Sequence, residues 1–298
     1  MLSFKTVDIE DREIITSCIY PGNYLNCDFS FANICSWHFL YKSEFVIVDG
    51  FLLIRFFVEE NRRVYMYPVG NGDLKHIIGL LEEDARADGY PLWILGVTPD
   101  AKYELENRFP GEFEYTPEPD YFDYVYLRTD LAALKGKKYQ AKRNHVNNFK
   151  KRYRYEYVPV TPDIIPLCLN LECKWFQANS TSEGIEDLLH ENRSMIFALN
   201  HFDALGLTGG AITVDGEIVA FTYGSPINHH AFGIHVEKGD IRYEGVFSII
   251  NQEFASRIPE QFIFVNREED LGIPGLRQAK QSYHPVILLE KNAAVKKT

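Results

Sequence analysis

No stretch of this 298-residue chain is long and apolar enough to cross a membrane. The longest, Phe45 to Val58, is broken by Asp49, Gly50 and Arg55, where a span needs about 20 apolar residues. The first dozen residues are charged early and carry no apolar segment, so no secretory leader is expected. Cysteine is scarce. Cys18, Cys27, Cys35, Cys168 and Cys173 form no CxxC pair, and their odd number reads as reduced thiols in a cytoplasmic protein. No Cys or His stands at zinc-ligand spacing, and His190-Glu191 lacks the second histidine of HExxH, so no metal is expected. Without secretion, the glycosylation patterns at Asn179 and Asn192 carry nothing.

Apolar residues are plentiful. They make up 46% of the chain, enough to fill cores, and aromatics reach 14%, which favours sheets with aromatic strands. Positive charge is in deficit, at −11 overall, but unevenly so. Between Leu131 and Tyr155 stand nine Lys or Arg and no acid; the other 22 bases face 42 acids. One basic segment on an acidic body is a local anion-binding feature, or else a solvated linker helix.

Strand and helix signals run through the chain twice in the same order. Two runs flank Asp49-Gly50 and two flank Asp215-Gly216, each a hairpin signal, at an offset of 166 residues. Strands at 63–69 and 231–236 follow. Then come helices at 73–88, with Leu74, Ile77, Ile78, Leu81 and Ala85 on one face, and at 245–257, with Val246, Ile249, Ile250 and Phe254. Short apolar strands at 92–97 and 262–265 come next, and a last strand at 124–127 and at 286–289. Each half opens with a strand and a helix. The near-constant offset argues for duplication of one α/β unit, with a boundary near residue 129: an N-terminal unit at 1–129 and a C-terminal unit at 130–298.

This order of elements resembles the GNAT (N-acetyltransferase-like) fold. Arg242-Tyr243-Glu244-Gly245-Val246 resembles that family's acyl-donor loop, although Phe247 replaces its last small residue and would crowd a pyrophosphate. Two longer blocks are more specific. One is Asp130-Leu131, Lys135 to Tyr139 and Lys142-Arg143-Asn144. The other is Asn266 to Gly272, Gly275-Leu276-Arg277, Lys280, Ser282-Tyr283 and Pro285. Together they resemble a bacterial family related to the C-terminal domain of phosphatidylglycerol lysyltransferases, a group with tandem GNAT domains like the Fem-type peptidyltransferases. The resemblance covers nearly the whole chain. It implies an α/β (α+β) protein of two tandem GNAT-like domains, with mixed, mainly antiparallel sheets flanked by helices. It implies transfer of an activated acyl group, from aminoacyl-tRNA or acyl-CoA, to a small-molecule, lipid-headgroup or peptide acceptor. No tightly bound cofactor is expected.

Specific residues follow. A helix opening near Gly245 offers unpaired amides and a positive dipole, and Arg242 and Arg277 add cations for a donor phosphate. The alternative is an ordinary strand-to-helix turn. Aminolysis of an ester needs a base and an acid. Glu269 and Asp270 after a buried strand, Asn266 to orient a carbonyl or amine, and Tyr283 with Lys280 as proton donor are the candidates. Their alternative is a salt-bridged surface and a core tyrosine. Lys137, Lys138, Lys142 and Arg143 are candidates for RNA phosphates. In the first half the matching loop, Gly70 to Asp73, has an acid where an anion would sit, so only the second half is expected to carry the site. A conventional acetyl-CoA N-acetyltransferase and a catalytically inert binding module of the same fold remain open.

Overall fold

The computed structural model describes residues 2–58, 62–179 and 185–297. The first half contributes β1 (Lys5–Thr6), α1 (Arg12–Ile19), α2 (Phe31–Ser36), α3 (His38–Tyr41), β2 (Glu44–Val48), β3 (Phe51–Val58), β4 (Arg62–Met66), β5 (Val69–Gly70), α4 (Leu74–Ala87), β6 (Trp93–Val97), α5 (Pro99–Arg108), β7 (Phe113–Pro117) and β8 (Asp123–Leu127). The second contributes α6 (Arg128–Ala133), α7 (Gln140–Arg152), β9 (Tyr155–Pro159), α8 (Ile165–Asn179), α9 (Ile185–Asn200), β10 (Thr208–Val214), β11 (Glu217–Pro226), β12 (Ala231–Gly239), α10 (Val246–Ala255), β13 (Phe264–Asn266), α11 (Pro274–Gln281), β14 (Ile287–Leu289) and β15 (Asn292–Lys296).

These strands build two mixed sheets, ordered β1-β2-β3-β4-β6-β15-β7, with the short β5 also paired to β3, and β9-β10-β11-β12-β13-β8-β14. Apart from β5, the two orders match strand for strand. Each contains one parallel pair, β4 with β6 and β12 with β13, and is otherwise antiparallel. Both Asp-Gly turns have positive φ at each residue, 48° and 79° at Asp49-Gly50 and 51° and 85° at Asp215-Gly216. That is the backbone of a type I′ hairpin turn.

The expected boundary near residue 129 does not separate the sheets. β8 lies in the second sheet between β13 and β14, and β15 lies in the first between β6 and β7. The halves have exchanged their equivalent strands. The strand expected to end the first half, at 124–127, therefore completes the second. The strand that completes the first, β15, lies beyond the expected 286–289. Asp123 to Tyr126 are buried throughout, as suits a strand covered on both faces.

A core common to both halves supports this exchange. Ile15, Ile19, Phe31, Ile34, Leu52 and Ile54 pack with Cys168, Leu171, Met195, Leu199, Phe221 and Tyr223. The other face of the second sheet is covered by α6, α7 and α10, and the other face of the first by α4 and α5.

Candidate functional site

β12 and β13 are paired through Ala231↔Phe264, Phe232↔Val265 and Gly233↔Asn266, and no further. β12 runs on to Gly239 while the chain after β13 turns away. The strands thus open after Gly233. β12 also carries a bulge there: Gly224 of β11 pairs with Ile234 and Tyr223 with Val236, leaving His235 as the extra residue. A bulge re-aims side chains. His235 reaches Ser30 of α2 on one face of the sheet, while Glu237 reaches Asn251 of α10 on the other.

The loop after β13 fans its side chains in different directions. Asn266 is fully buried; its amide donates to the Leu25 carbonyl (2.7 Å) and to Asp123 (2.8 Å), and its oxygen accepts from the Glu268 amide (2.6 Å). Arg267 bonds Glu237 at 3.1 Å, with the Tyr283 and Tyr126 ring centres 4.7 and 5.7 Å from its guanidinium. Glu268 has φ +59°, uncommon for a residue with a side chain. This turns its carboxylate toward His235 Nδ1 (2.8 Å) and Asn33 Nδ2 (2.7 Å), both at Oε1. His235 Nε2 in turn lies 2.8 Å from Ser225 Oγ and 3.2 Å from Ser30 Oγ. A carboxylate has no proton to give, so the imidazole carries an N–H on Nδ1, and Nε2 faces two hydroxyls that can donate or accept.

Glu269 points toward the first half. Its Oε1 is 2.8 Å from Lys291 Nζ and 3.1 Å from Cys27 Sγ. Lys291, just before β15, is buried and also meets Asp28 at 2.8 Å and Asp123 at 2.9 Å. Burial pushes the Asp123 carboxyl up, with Glu269 and Asp28 adding to it against the pull of Lys291. Glu269 resists its own burial because Lys291 holds its carboxyl down. Burial likewise raises the Cys27 thiol and, with Asp28 nearby, Glu118. Asp28 and Glu269 are 35% and 16% exposed, and Glu268 is 19% exposed. With Tyr41 and Tyr121, whose hydroxyls feel Glu269 and Asp187, they form a partly exposed acidic cluster where the halves meet. Cys27, Asp28 and Glu269 bring three potential metal-ligand atoms within 4.8 Å of one another. The Lys291 ammonium already bonds the same two carboxylates, so the protein's own cation takes that place.

Among the residues expected from the sequence, Asn266 and Glu269 meet here, each held by internal bonds. Asp270 turns away. It accepts two bonds from Arg277 (2.7 and 2.8 Å) and one from the Tyr124 hydroxyl (2.6 Å), and these hold its carboxyl down at about 2. Arg277 also bonds Asp120 at 2.9 Å, so it is a tie between loops rather than a waiting phosphate ligand. Lys280 donates to the carbonyls of Arg267 and Glu269, bracing the loop from behind, and burial lowers its pKa. Tyr283 is buried in the core under α10, pushed up to about 12 by that burial, and does not adjoin Glu269 as a proton donor would.

The anion site expected at the start of α10 is filled by its own surroundings. Arg242 is bound through Nε and Nη2 to Asp240, two residues earlier. Gly245 has φ +87°, and a Cβ there would stand 2.7 Å from the His145 carbonyl oxygen of α7. The positive φ and the close approach of α7 account for that glycine. The amides of Val246 and Ser248 already bond the carbonyls of Tyr243 and Gly245. In the first half, Asp73 caps α4 by accepting from the amides of Lys75 and His76.

Of the basic segment, Lys137 is exposed, whereas Lys138 pairs with Asp130 at 3.3 Å. Arg143 donates to the carbonyls of Leu134 and Gly136, capping the end of α6. Lys142 lies 4.0 Å from the Tyr283 ring centre, and burial, then Arg267, brings it down to about 8.

Asp28, Asn33, Asp123, His235, Glu268 and Lys291 were not singled out by the sequence. Glu268 sat within the quoted block. The others are scattered through both halves at no motif spacing, and only the fold assembles them.

The family model described as phosphatidylglycerol lysyltransferase, C-terminal, matches residues 23–294. No curated protein matches the chain. Among solved structures, a conserved protein of unknown function from Bacteroides thetaiotaomicron is 51% identical, covers 100% of both chains and superposes with a TM-score of 0.96. L-PGS from Bacillus licheniformis is 17% identical over 100% of this chain and 95% of that one, with a TM-score of 0.68. FemX is 8% identical over 98% and 97%, with a TM-score of 0.60. At those identities the last two speak for the fold alone, and it is the tandem fold described above. With 23–294 matched, the chain belongs to the phosphatidylglycerol lysyltransferase C-terminal family.

Proposed function

We propose that this protein is an acyltransferase that moves an activated acyl group, carried as an aminoacyl-tRNA ester, to an amine or hydroxyl acceptor entering at the acidic cluster. One observation carries the reading. Glu268 presents a partly exposed carboxylate at the opening of the β12–β13 pair, and a buried histidine holds its inner oxygen. Its outer oxygen, Oε2, has no partner among the described residues. A carboxylate so placed can take the proton that the acceptor's N–H or O–H releases as it attacks the ester carbonyl. The acyl C–O bond of the ester breaks as the new bond forms, and the proton that Glu268 took is returned to the leaving alkoxide. Negative charge from Asp28 and Glu269 favours an acceptor or aminoacyl group bearing an ammonium.

Family membership supports aminoacyl transfer, and L-PGS and FemX share the fold. The self-neutralised loop at Arg242 argues against a CoA pyrophosphate at the start of α10. The donor is a dissociable substrate. Its tRNA would lie along the exposed side of α7, on Lys135, Lys137, Lys151 and Arg154, which have no ion-pair partner among the described residues. Lys142 and Arg143 have internal roles instead, and Lys138 is paired at the surface with Asp130.

The test is to offer radiolabelled aminoacyl-tRNAs, with acyl-CoA in parallel, and a panel of amine and glycerol-type acceptors, and to follow label leaving the donor. Transfer from aminoacyl-tRNA that falls roughly 100-fold or more in Glu268→Gln, the usual range for a lost general base, supports the reading. Unchanged transfer in that variant removes Glu268 from the chemistry. Binding of tRNA or CoA with no transfer to any acceptor would leave a binding module.

A further inference from the structure

We infer that the first half, although its own donor loop is closed by Asp73, acts in the chemistry of the second by positioning its base. The inference rests on the reading of Glu268 above. Ser30 and Asn33 both come from the first half, at the start of and within α2, and both reach the Glu268–His235 pair. Asn33 donates to Glu268 Oε1 at 2.7 Å, the same oxygen that receives His235 Nδ1–H. Ser30 Oγ stands 3.2 Å from both Ser225 Oγ and His235 Nε2.

These contacts fix more than position. With two donors on Oε1, Glu268 is an acceptor there, and its other oxygen has no hydrogen-bond partner among the described residues. Glu268 requires an N–H on Nδ1, and the hydroxyls at Nε2 hold the ring in the orientation that presents it. Ser225, on β11, supplies one hydroxyl from the second half; Ser30 supplies the other across the interface. Asn33 is tied in turn to the Cys27 carbonyl at 3.3 Å, which links this pair to the Lys291 cluster. Glu268 also stays in a left-handed conformation that its own side chain disfavours, and such strain persists only where neighbours over-determine it. Ser30, Asn33, Ser225 and His235 are therefore positioning residues, and Glu268 is the group that meets the substrate.

Ser30 makes no side-chain cap on α2, so Ser30→Ala removes the hydroxyl without uncapping a helix. The experiment uses the full chain with nitrogen-labelled histidine, the His235 signals being assigned by their loss in His235→Gln. In the wild type, the imidazole proton should lie on Nδ1 and exchange slowly. Ser30→Ala and Asn33→Ala should each shift that proton signal and speed its exchange, while thermal unfolding stays cooperative. Asn33→Gln should recover part of the wild-type signal. In the transfer assay Asn33→Ala should lose roughly tenfold in kcat, the lower range for one hydrogen bond to a charged group, and Ser30→Ala about two- to tenfold, the range for a neutral one, with KM held. Unmoved proton signal and unmoved kcat in both alanine variants, while Glu268→Gln abolishes transfer, would overturn the inference and leave the transfer reading intact. A displaced signal with transfer indifferent to Glu268→Gln would overturn the reading on which the inference rests.

Discussion

Asp270 and Asp123 lie on either side of the same loop, and their protons respond to folding with opposite sign. Asp270 is held down at about 2, mainly by its bonds from Arg277. A carboxyl depressed on folding gives stability that is present above its ordinary value near 4 and is lost as pH falls through the folded value. Asp123 is pushed up by burial, so in the folded protein it keeps a proton that the unfolded chain releases. Its contribution is favourable at low pH and is lost as pH rises above the ordinary carboxylate range. The expectation is a melting temperature that falls steeply below about pH 4 and flattens there in Asp270→Asn. Asp123→Asn should leave the acid limb and remove only a shallower decline toward neutral pH. Identical pH profiles in wild type and Asp270→Asn would show that Arg277 and Asp270 do not exchange this energy in solution.

The elements most legible in the sequence were those set by short-range rules. Asp-Gly dictated both hairpin turns. The helical period correctly named the buried faces of α4 and α10, where Leu74, Ile77, Ile78, Leu81 and Ala85, and Val246, Ile249, Ile250 and Phe254, are all buried. Strand partners were not legible. Nothing local in Tyr124 to Leu127 says that it pairs with Phe264 to Asn266 rather than with its own half, and β15 carried no signal beyond a short run of small residues. The sequence singled out the block around Asn266 to Gly272, but which way each side chain points depends on the left-handed turns at Glu268 and Leu271. Gly245 shows how a motif glycine can mislead. Its φ and the close His145 carbonyl predict that Gly245→Ala costs about 2 kcal/mol or more, from left-handed strain plus displacement of α7. Denaturant unfolding measures this. A variant of unchanged stability that loses donor binding would return the glycine to a ligand-binding role.

At the scale of the whole molecule, the exchanged strands make the two halves one folding unit. β15 cannot leave the first sheet without breaking its pairing to both β6 and β7, and β8 is held likewise between β13 and β14. The shared core adds apolar burial that neither half has alone. Lys291 stands where these connections meet, its ammonium between Asp28 and Asp123 from one half and Glu269 from the other. Removing one partner from a buried ionic group leaves uncompensated charge, which is why such losses exceed the net value of the group itself. Lys291→Met keeps an unbranched side chain one atom shorter and deletes the charge. It should destabilise the protein by about 3–5 kcal/mol at neutral pH, and less at mildly acid pH, where Asp123 takes up a proton and relieves the repulsion. Calorimetry should show one transition for both halves in the wild type and in the variant, shifted down in the variant. Two separate transitions would mean that the exchanged strands do not couple the halves. A Lys291→Met protein as stable as the wild type would mean that the three carboxylates are hydrated in solution, and the cluster would then be more open than its burial indicates.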